Sequence, residues 1–465
     1  MLRSLLLLFM FFLFLGGSVA VPFLATLGYV WLDLFQPQNM YYVLFLSSMP
    51  VAMIMGLAAI VTYLAMDRRS PPPVTPELML QITMAVWITF TSFALAVAPD
   101  ATWLKWDWAF KTIVFTTFVP FVIRSRIQIE AFVQIMLLSL ATNFLPYGAK
   151  VLISGGGYGV NLGLQEGNSG LSEGGLLSTG CLMMVPLALH LAVHTHILPK
   201  FKMWRFVYWG MAGLAIATAI GTYERSALIG LGILGVAAIL RSKNKILYTF
   251  VVACVAVVIA ISAGRGYKDR IATIGTYQSD SSAETRLLMW KWTTDFSLTH
   301  PLGGGFYAFI GSVVEIPATA TEPAHVETGR AYHSSYFEVL GEQGYPGLLM
   351  FLGLAALAFR RLGRMRKMTR NVPEFEWVAS LCSAIEIGLC VFFSCGAFVS
   401  LSFQPMFWYF IGMTLALNGY MYHAQLEGEP AQRPWARGRT TAADPSPIMN
   451  GWRNRRPAIP SRMGR

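Results

Sequence analysis

Long apolar runs separated by short polar breaks set the pattern of this chain. Runs of spanning length, or close to it, fall near 41–65, 77–98, 108–124, 128–147, 174–196, 204–222, 226–240, 246–263, 346–360, 378–398 and 403–423. Roughly 20 apolar residues cross the hydrocarbon core as a helix, so each run predicts a transmembrane span. A further apolar block at 4–35 is too long for one straight helix and is interrupted by Gly16-Gly17 and Pro22. It predicts one span plus an interfacial stretch, or a tight hairpin. Arg3, the Leu/Phe run and Ser18-Val19-Ala20 also have the layout of a cleavable signal peptide, but the many spans that follow favour an uncleaved first helix. The expected fold is all-α, a polytopic membrane protein with about 12 transmembrane helices. Continuous apolar runs without apolar/polar alternation exclude an outer-membrane barrel.

Composition agrees, since 55% of the 465 residues are hydrophobic and 13% are charged, with a mean hydropathy of +0.53. The net charge of +11 changes the picture only once it is located. Arg3, Arg68-Arg69, Arg124, Arg126, Lys200, Lys202, Arg205, Arg241, Lys243, Lys245, the run from Arg360 to Arg370 and the tail arginines all fall on alternate segments. Cytoplasmic loops carry such an excess, so these segments are expected inside, facing anionic membrane lipids. No nucleic-acid partner is expected. Cys181, Cys254, Cys382, Cys390 and Cys395 lie in apolar segments without metal-ligand spacing, which supports neither a disulfide framework nor a zinc site.

The organisation read from this pattern is an N-terminal transmembrane region over 1–200, a core over 201–425 with one long external loop at 264–345, and a basic cytoplasmic tail at 426–465. The tail is rich in arginine and proline, with few aromatics, and is expected to be disordered. The Gly-rich stretch 154–173 lacks a GK[ST] ending and follows a membrane helix, so it reads as an external loop and not as a phosphate cradle. No internal repeat of 20–50 residues is apparent.

Chemistry concentrates in the long loop, because helix connections usually need only a few residues. Within ETRLLMWKWTTDFSLT, Leu288, Trp292 and Phe296 share one helical face, as in a helix lying in the lipid interface. His300-Pro301 ends it and Gly303-Gly304-Gly305 opens a tight turn. Ser335-Tyr336-Phe337-Glu338 has capping-box spacing, which would place His333 two residues ahead of a helix start. Gly344-Tyr345-Pro346-Gly347 should break that helix, with Pro346 opening the next span. Arg225, in GTYERSALIG between two apolar helices, is a candidate for function or a snorkelling side chain paired with Glu224. Arg286 has the same two readings, His333 is a candidate or an ordinary loop histidine, and the intramembrane Glu386 is a relay or a structural carboxyl.

The strings GTYERSALIGLGI, ETRLLMW, HPLGGGF and YHSSYFEVLGEQGYPGLL, in that order around a long external loop, resemble the O-antigen ligase and O-antigen polymerase superfamily. With WLDLFQPQN in the first half, the chain is similar to the O-glycosylation ligases of exosortase-associated exopolysaccharide systems. The resemblance implies a C-type glycosyltransferase of the bacterial inner membrane, metal-independent and without a cofactor. It would transfer glycan from a polyprenyl-diphosphate-linked donor to a glycan, lipid or protein acceptor on the periplasmic face. It also implies that His333 is catalytic and that Arg225 and Arg286 bind the diphosphate. Glu338, Glu342 and Tyr336 are candidates to contact the acceptor or support the site. The chain departs from the family in having Ser334 after the histidine, where Asn is usual, and Glu224 before the first arginine, where Ser is usual.

Chemically the set is coherent. Guanidinium forks bind diphosphate oxygens bidentately, and an imidazole is suited to take the acceptor proton. No carboxylate nucleophile stands out, so a single inverting displacement is expected. The alternative is a lipid-linked glycan flippase or another secondary transporter, which fits the span count but would place its charges near the bilayer midplane. The topology is testable by single-cysteine labelling in a Cys-free background. A membrane-impermeant reagent should label Ala318→Cys in intact spheroplasts and spare Ala442→Cys; the reverse pattern would invert the topology.

Overall fold

The computed structural model describes residues 2–37, 49–67, 69, 71–154, 174–199, 201–242, 244–247, 249–250, 253, 281–316 and 325–427. Nearly all of the Gly-rich stretch, most of the apolar run at 246–263, the loop up to residue 280 and the basic tail lie outside these residues. Within them the chain is a helical bundle. Its first helices are α1 (Leu2–Gly17), α2 (Phe23–Phe35), α3 (Val51–Met66), α4 (Pro76–Ala94), α5 (Pro99–Val122) and α6 (Arg126–Ser154). They are followed by α7 (Gly174–His194), α8 (Lys202–Gly221), α9 (Arg225–Arg241) and α10 (Ser281–Thr299). A hairpin of β1 (Val313–Ile316) and β2 (His325–Thr328) precedes α11 (Ser335–Thr369), α12 (Glu376–Cys395) and α13 (Pro405–Glu427).

Six described helices are long and apolar enough to cross a membrane, and α1, α2 and α3 add shorter apolar ones. The protein is therefore an all-α, multi-pass membrane protein. The 4–35 block resolves as two helices, α1 and α2, that pack on each other across the Gly17–Pro22 break. Side chains on the outside stay apolar, as Phe93, Ile153 and Leu349 illustrate, because lipid and not water is the surrounding solvent. Cys181, Cys382 and Cys395 are buried free thiols, and Cys390 is a half-buried one.

Bundle direction follows from helix ends. Cys395, at the end of α12, donates to the carbonyl of Ser226 at the start of α9 (3.2 Å), and the Ser335 amide donates to the carbonyl of Gly396 (2.7 Å). One end of the bundle thus gathers the starts of α9 and α11 and the end of α12. At the opposite end Arg241 donates to the Ser383 carbonyl (2.7 Å), and Arg126 to that of His194 (3.2 Å). There Arg361 also grips buried Glu77 with two 2.7 Å contacts and reaches Asn418 (2.7 Å), tying α11 to α4 and α13.

Helix α11 is two helices joined at Gly344, whose φ of 66° and ψ of −169° are non-helical. The break expected at Gly344-Tyr345-Pro346-Gly347 is present, and its cause is close packing as well as Pro346. A Cβ on Gly344 would lie 2.4 Å from the carbonyl oxygen of Pro301 and the carbonyl carbon of Leu302. Gly303, at φ 91°, faces it with equal tightness, 2.5 Å from the Glu342 carbonyl oxygen. Backbone bonds lock this approach: Gly304 to Gly341, Gly305 to Glu342 and Tyr345 to Pro301, each 3.0 Å. Gly344→Ala should therefore lower stability by about 3 kcal/mol or more, read as thermal unfolding of the detergent-purified protein. Gly353→Ala, in the helical interior with its nearest neighbour at 3.5 Å, should melt at or slightly above wild type. Equal melting of the two variants would show that the break does not require glycine.

Candidate functional site

The end of the bundle where α9 and α11 start is built on α11's first segment, and the residues that hold this segment come from the far N-terminal half. Lys105, on α5, places its ammonium 2.7 Å from Glu338 and 2.8 Å from both oxygens of Glu342. All three side chains are buried. Every remaining acceptor is used: Glu342 takes the Tyr307 amide (2.9 Å), and Glu338 takes the Ser402 amide (3.1 Å) and hydroxyl (2.8 Å). The rings of Phe306, Tyr307 and Phe403 pack around the ammonium, 5.2 to 5.3 Å from ring centre to nitrogen. Gln343 is fixed from α4, with its carbonyl accepting from Trp87 (2.9 Å) and its amide oxygen from Thr91 (2.6 Å). The Phe306 carbonyl accepts from Thr102 (2.6 Å), and the Val97 amide donates to Gly304 (2.8 Å).

Two expectations need correction here. The helix is capped at Ser334, and no capping box forms. Ser335 instead donates to the Val399 carbonyl (2.8 Å) and accepts from the Leu401 amide (2.8 Å), while Glu338 faces Lys105 and Ser402. The segment before α11 is pinned by tertiary bonds in place of a local one. Helix α10 likewise does not turn its aromatic face to lipid. Leu288 and Trp292 pack on a small core of Met289, Val314 and Tyr332, and Phe296 backs onto Gly304. Trp290 donates to the Tyr332 carbonyl (2.9 Å) and stacks on Phe337 with centroids 5.1 Å apart. The hairpin and the glycine turn cover the face that the sequence pattern left open.

His333 sits between these pins, half-buried, with φ at 48°. A left-handed non-glycine residue costs roughly 1–3 kcal/mol, sustained only where the surroundings dictate it. Of the four such residues among those described, three border this end of the bundle: His333, Tyr307 beside Glu342, and Tyr223 two residues before Arg225. The positive charges of Arg286 and Arg330, together with burial, which is the largest effect, hold the His333 imidazole below its ordinary pKa of 6.5. It is therefore a neutral base at neutral pH.

The structure thus brings Arg286 and His333 together and adds Arg330, which the sequence reading did not single out. Arg330 pairs with Glu327, and its Nε is buried without a hydrogen-bond partner among the described residues. Its position three residues before His333 was the available signal. Arg225 opens α9 at the same end, next to Ser226 and the α12 terminus. Tyr336 donates to the Phe393 carbonyl (2.8 Å) and holds α11 to α12. Glu338 and Glu342 both pair with Lys105. Among the described residues no cluster of three or more His, Cys, Asp or Glu side chains is arranged to hold a metal ion.

Comparison with known families divides the chain. Residues 2–196 match a family of unknown function (DUF5935), and residues 210–352 match the O-Antigen ligase family. No curated protein and no solved structure matches the chain. The second match runs from the helix before Arg225, through Arg286 and His333, to the start of the span after Gly344. Over residues 210–352 this multi-pass membrane protein is similar to the O-antigen ligase family.

Proposed function

We propose that the protein transfers a glycan from a polyprenyl-diphosphate-linked donor to an acceptor hydroxyl on the periplasmic face of the bacterial inner membrane. The observation that carries this reading is the grouping of a neutral, buried-edge imidazole with two guanidinium groups, at the bundle end where a third, Arg225, starts a helix. Exopolysaccharide synthesis and O-glycosylation are the pathway classes to which such a transfer belongs.

Arg286 and Arg225 bind the diphosphate, whose negative charge grows as the glycosidic bond to the lipid breaks. The positive end of α9 adds to the attraction at Arg225. Arg330 offers its buried Nε to the same anion. The acceptor oxygen attacks the anomeric carbon, its proton passes to His333, and the lipid diphosphate leaves with the bonding pair. Glu338 and Glu342 are engaged by Lys105, so neither is placed to act as a nucleophile, and one displacement inverts the anomeric configuration. Guanidinium groups take the part that a divalent cation plays in other transferases.

Arg225→Lys and Arg286→Lys keep the charge but lose the planar fork. Each should reduce transfer by about tenfold or more while the protein still inserts, and EDTA should leave the purified enzyme unaffected. The assay is mass analysis of products from a defined polyprenyl-diphosphate glycan. Full activity in Arg225→Lys, or a strict Mg²⁺ requirement, would refute the arginine clamp.

The pH profile tests the base. Because neighbouring cations disfavour the imidazolium, the acidic limb of wild-type turnover should have an apparent pKa below 6.5. Removing one cation makes protonation easier, so Arg330→Gln should move that limb to higher pH. His333→Gln should lose the limb and roughly a hundred- to ten-thousandfold in rate, with little change in donor affinity. A limb that persists in His333→Gln assigns the proton to another group.

A further inference from the structure

The opposite end of the bundle holds a second polar cluster, which glycan transfer does not use. An open cleft of 690 Å³ lies there between the ends of α7, α9 and α11 and the start of α12. Arg241 enters it from α9, and Arg366, Lys367 and Arg370 from the last turns of α11. Glu376 is the acidic residue on its wall, and Glu386 pairs with Arg241 and Arg366 behind it.

Basic residues at helix C-termini are common, because they complement the helix dipole. Here the arrangement does more than that. Arg241 spends one nitrogen on the Ser383 carbonyl of α12 (2.7 Å) and another on Glu386 (3.0 Å). Arg366 meets the same Glu386 oxygen at 2.6 Å. One buried carboxylate therefore holds two guanidinium groups from different helices side by side, each still about a third exposed, at 34% and 39%. Lys367 and Arg370 add two charges at the lip, so four cations stand against two carboxylates. The surplus is positive and prearranged, which is what a multidentate oxyanion needs.

The flank of the cleft distinguishes a lipid from a free anion. Val236 and Leu240, the latter adjacent to Arg241 on α9, are 54% and 68% exposed. A ligand whose charged group occupies the cleft has apolar helix surface directly beside it, and a membrane phospholipid supplies both parts. We infer that this cleft binds the phosphodiester headgroup of an anionic phospholipid, with the phosphate among Arg241, Arg366, Lys367 and Arg370 and the acyl chains along α9. Glu386, conspicuous in the sequence as an acid inside a span, is then a positioning residue for the two arginines. The inference does not depend on the transfer reaction proposed above.

The test uses the full chain in mild detergent, titrated with dioleoylphosphatidylglycerol or dioleoylphosphatidylcholine and followed by native mass spectrometry. Wild type should prefer phosphatidylglycerol by about tenfold or more, since each basic contact at a membrane surface contributes severalfold. Lys367→Gln/Arg370→Gln leaves the Glu386 pairing intact and should lose most of this preference. Lys367→Arg/Arg370→Lys, which keeps both charges, should retain it. Unchanged melting of the glutamine variant in phosphatidylcholine nanodiscs confirms that the fold is kept. Equal lipid preference in wild type and the glutamine variant would overturn the site, as would no preference in wild type. Displacement of phosphatidylglycerol by inorganic phosphate at equal concentration would show a free-anion site and overturn the lipid assignment.

Discussion

The ion triad of Lys105 with Glu338 and Glu342 is the constraint on which the candidate site of this protein depends. Three charges removed from water are costly, and their attraction repays that cost only when geometry and hydrogen bonding are nearly complete. Here they are: both carboxylates have further donors, and the ammonium has aromatic faces around it. Such a cluster tolerates one arrangement. A one-residue slip of α11's first segment would rotate both carboxylates away from Lys105 and leave buried charge unpaired. The triad fixes the rotation of that segment, and through Ser335 and the Tyr332 carbonyl it fixes where His333 stands.

That constraint also joins two stretches of chain that family comparison treats separately. Trp87, Thr91, Val97, Thr102 and Lys105 all lie within residues 2–196, yet each bonds to residues between 304 and 343. Helices α4 and α5 act as a backing plate for the ligase-like region. A family of unknown function here has a definite physical task, which is to hold the glycine turn and the first segment of α11 in register.

Much of the bundle is legible in the sequence because lipid imposes a simple rule, that spans must be long and apolar. The break at Gly344 is legible because glycine and proline punctuate the pattern. Arg286 and His333 stand out through the strings that carry the family resemblance, ETRLLMW and YHSSYFEVLGEQGYPGLL. Lys105 does not, since among Trp103, Trp106 and Trp108 it looks like an ordinary interfacial lysine, and its partners are more than 230 residues away. Ser335 misleads for a related reason: the spacing to Glu338 suits a local cap, but both side chains find better partners across the fold. The aromatic face of α10 reads as lipid-facing only because the hairpin that covers it leaves little trace in the periodicity. What is local is readable, and what is tertiary is not.

The straight part of α11, residues 345–369, has a further consequence. At 1.5 Å per residue it is about 37 Å long, against a hydrocarbon core of about 30 Å. It is tied to α4 near both ends, through Gln343 at one and Glu77 at the other, so it works as a ruler set across the bilayer. The first segment of α11, with the His333 imidazole ahead of it, begins where this ruler ends. In the transfer proposed above, the donor is anchored in the same bilayer by its own hydrocarbon tail. If the proposed transfer holds, the length of one helix sets the depth at which such a donor meets the site.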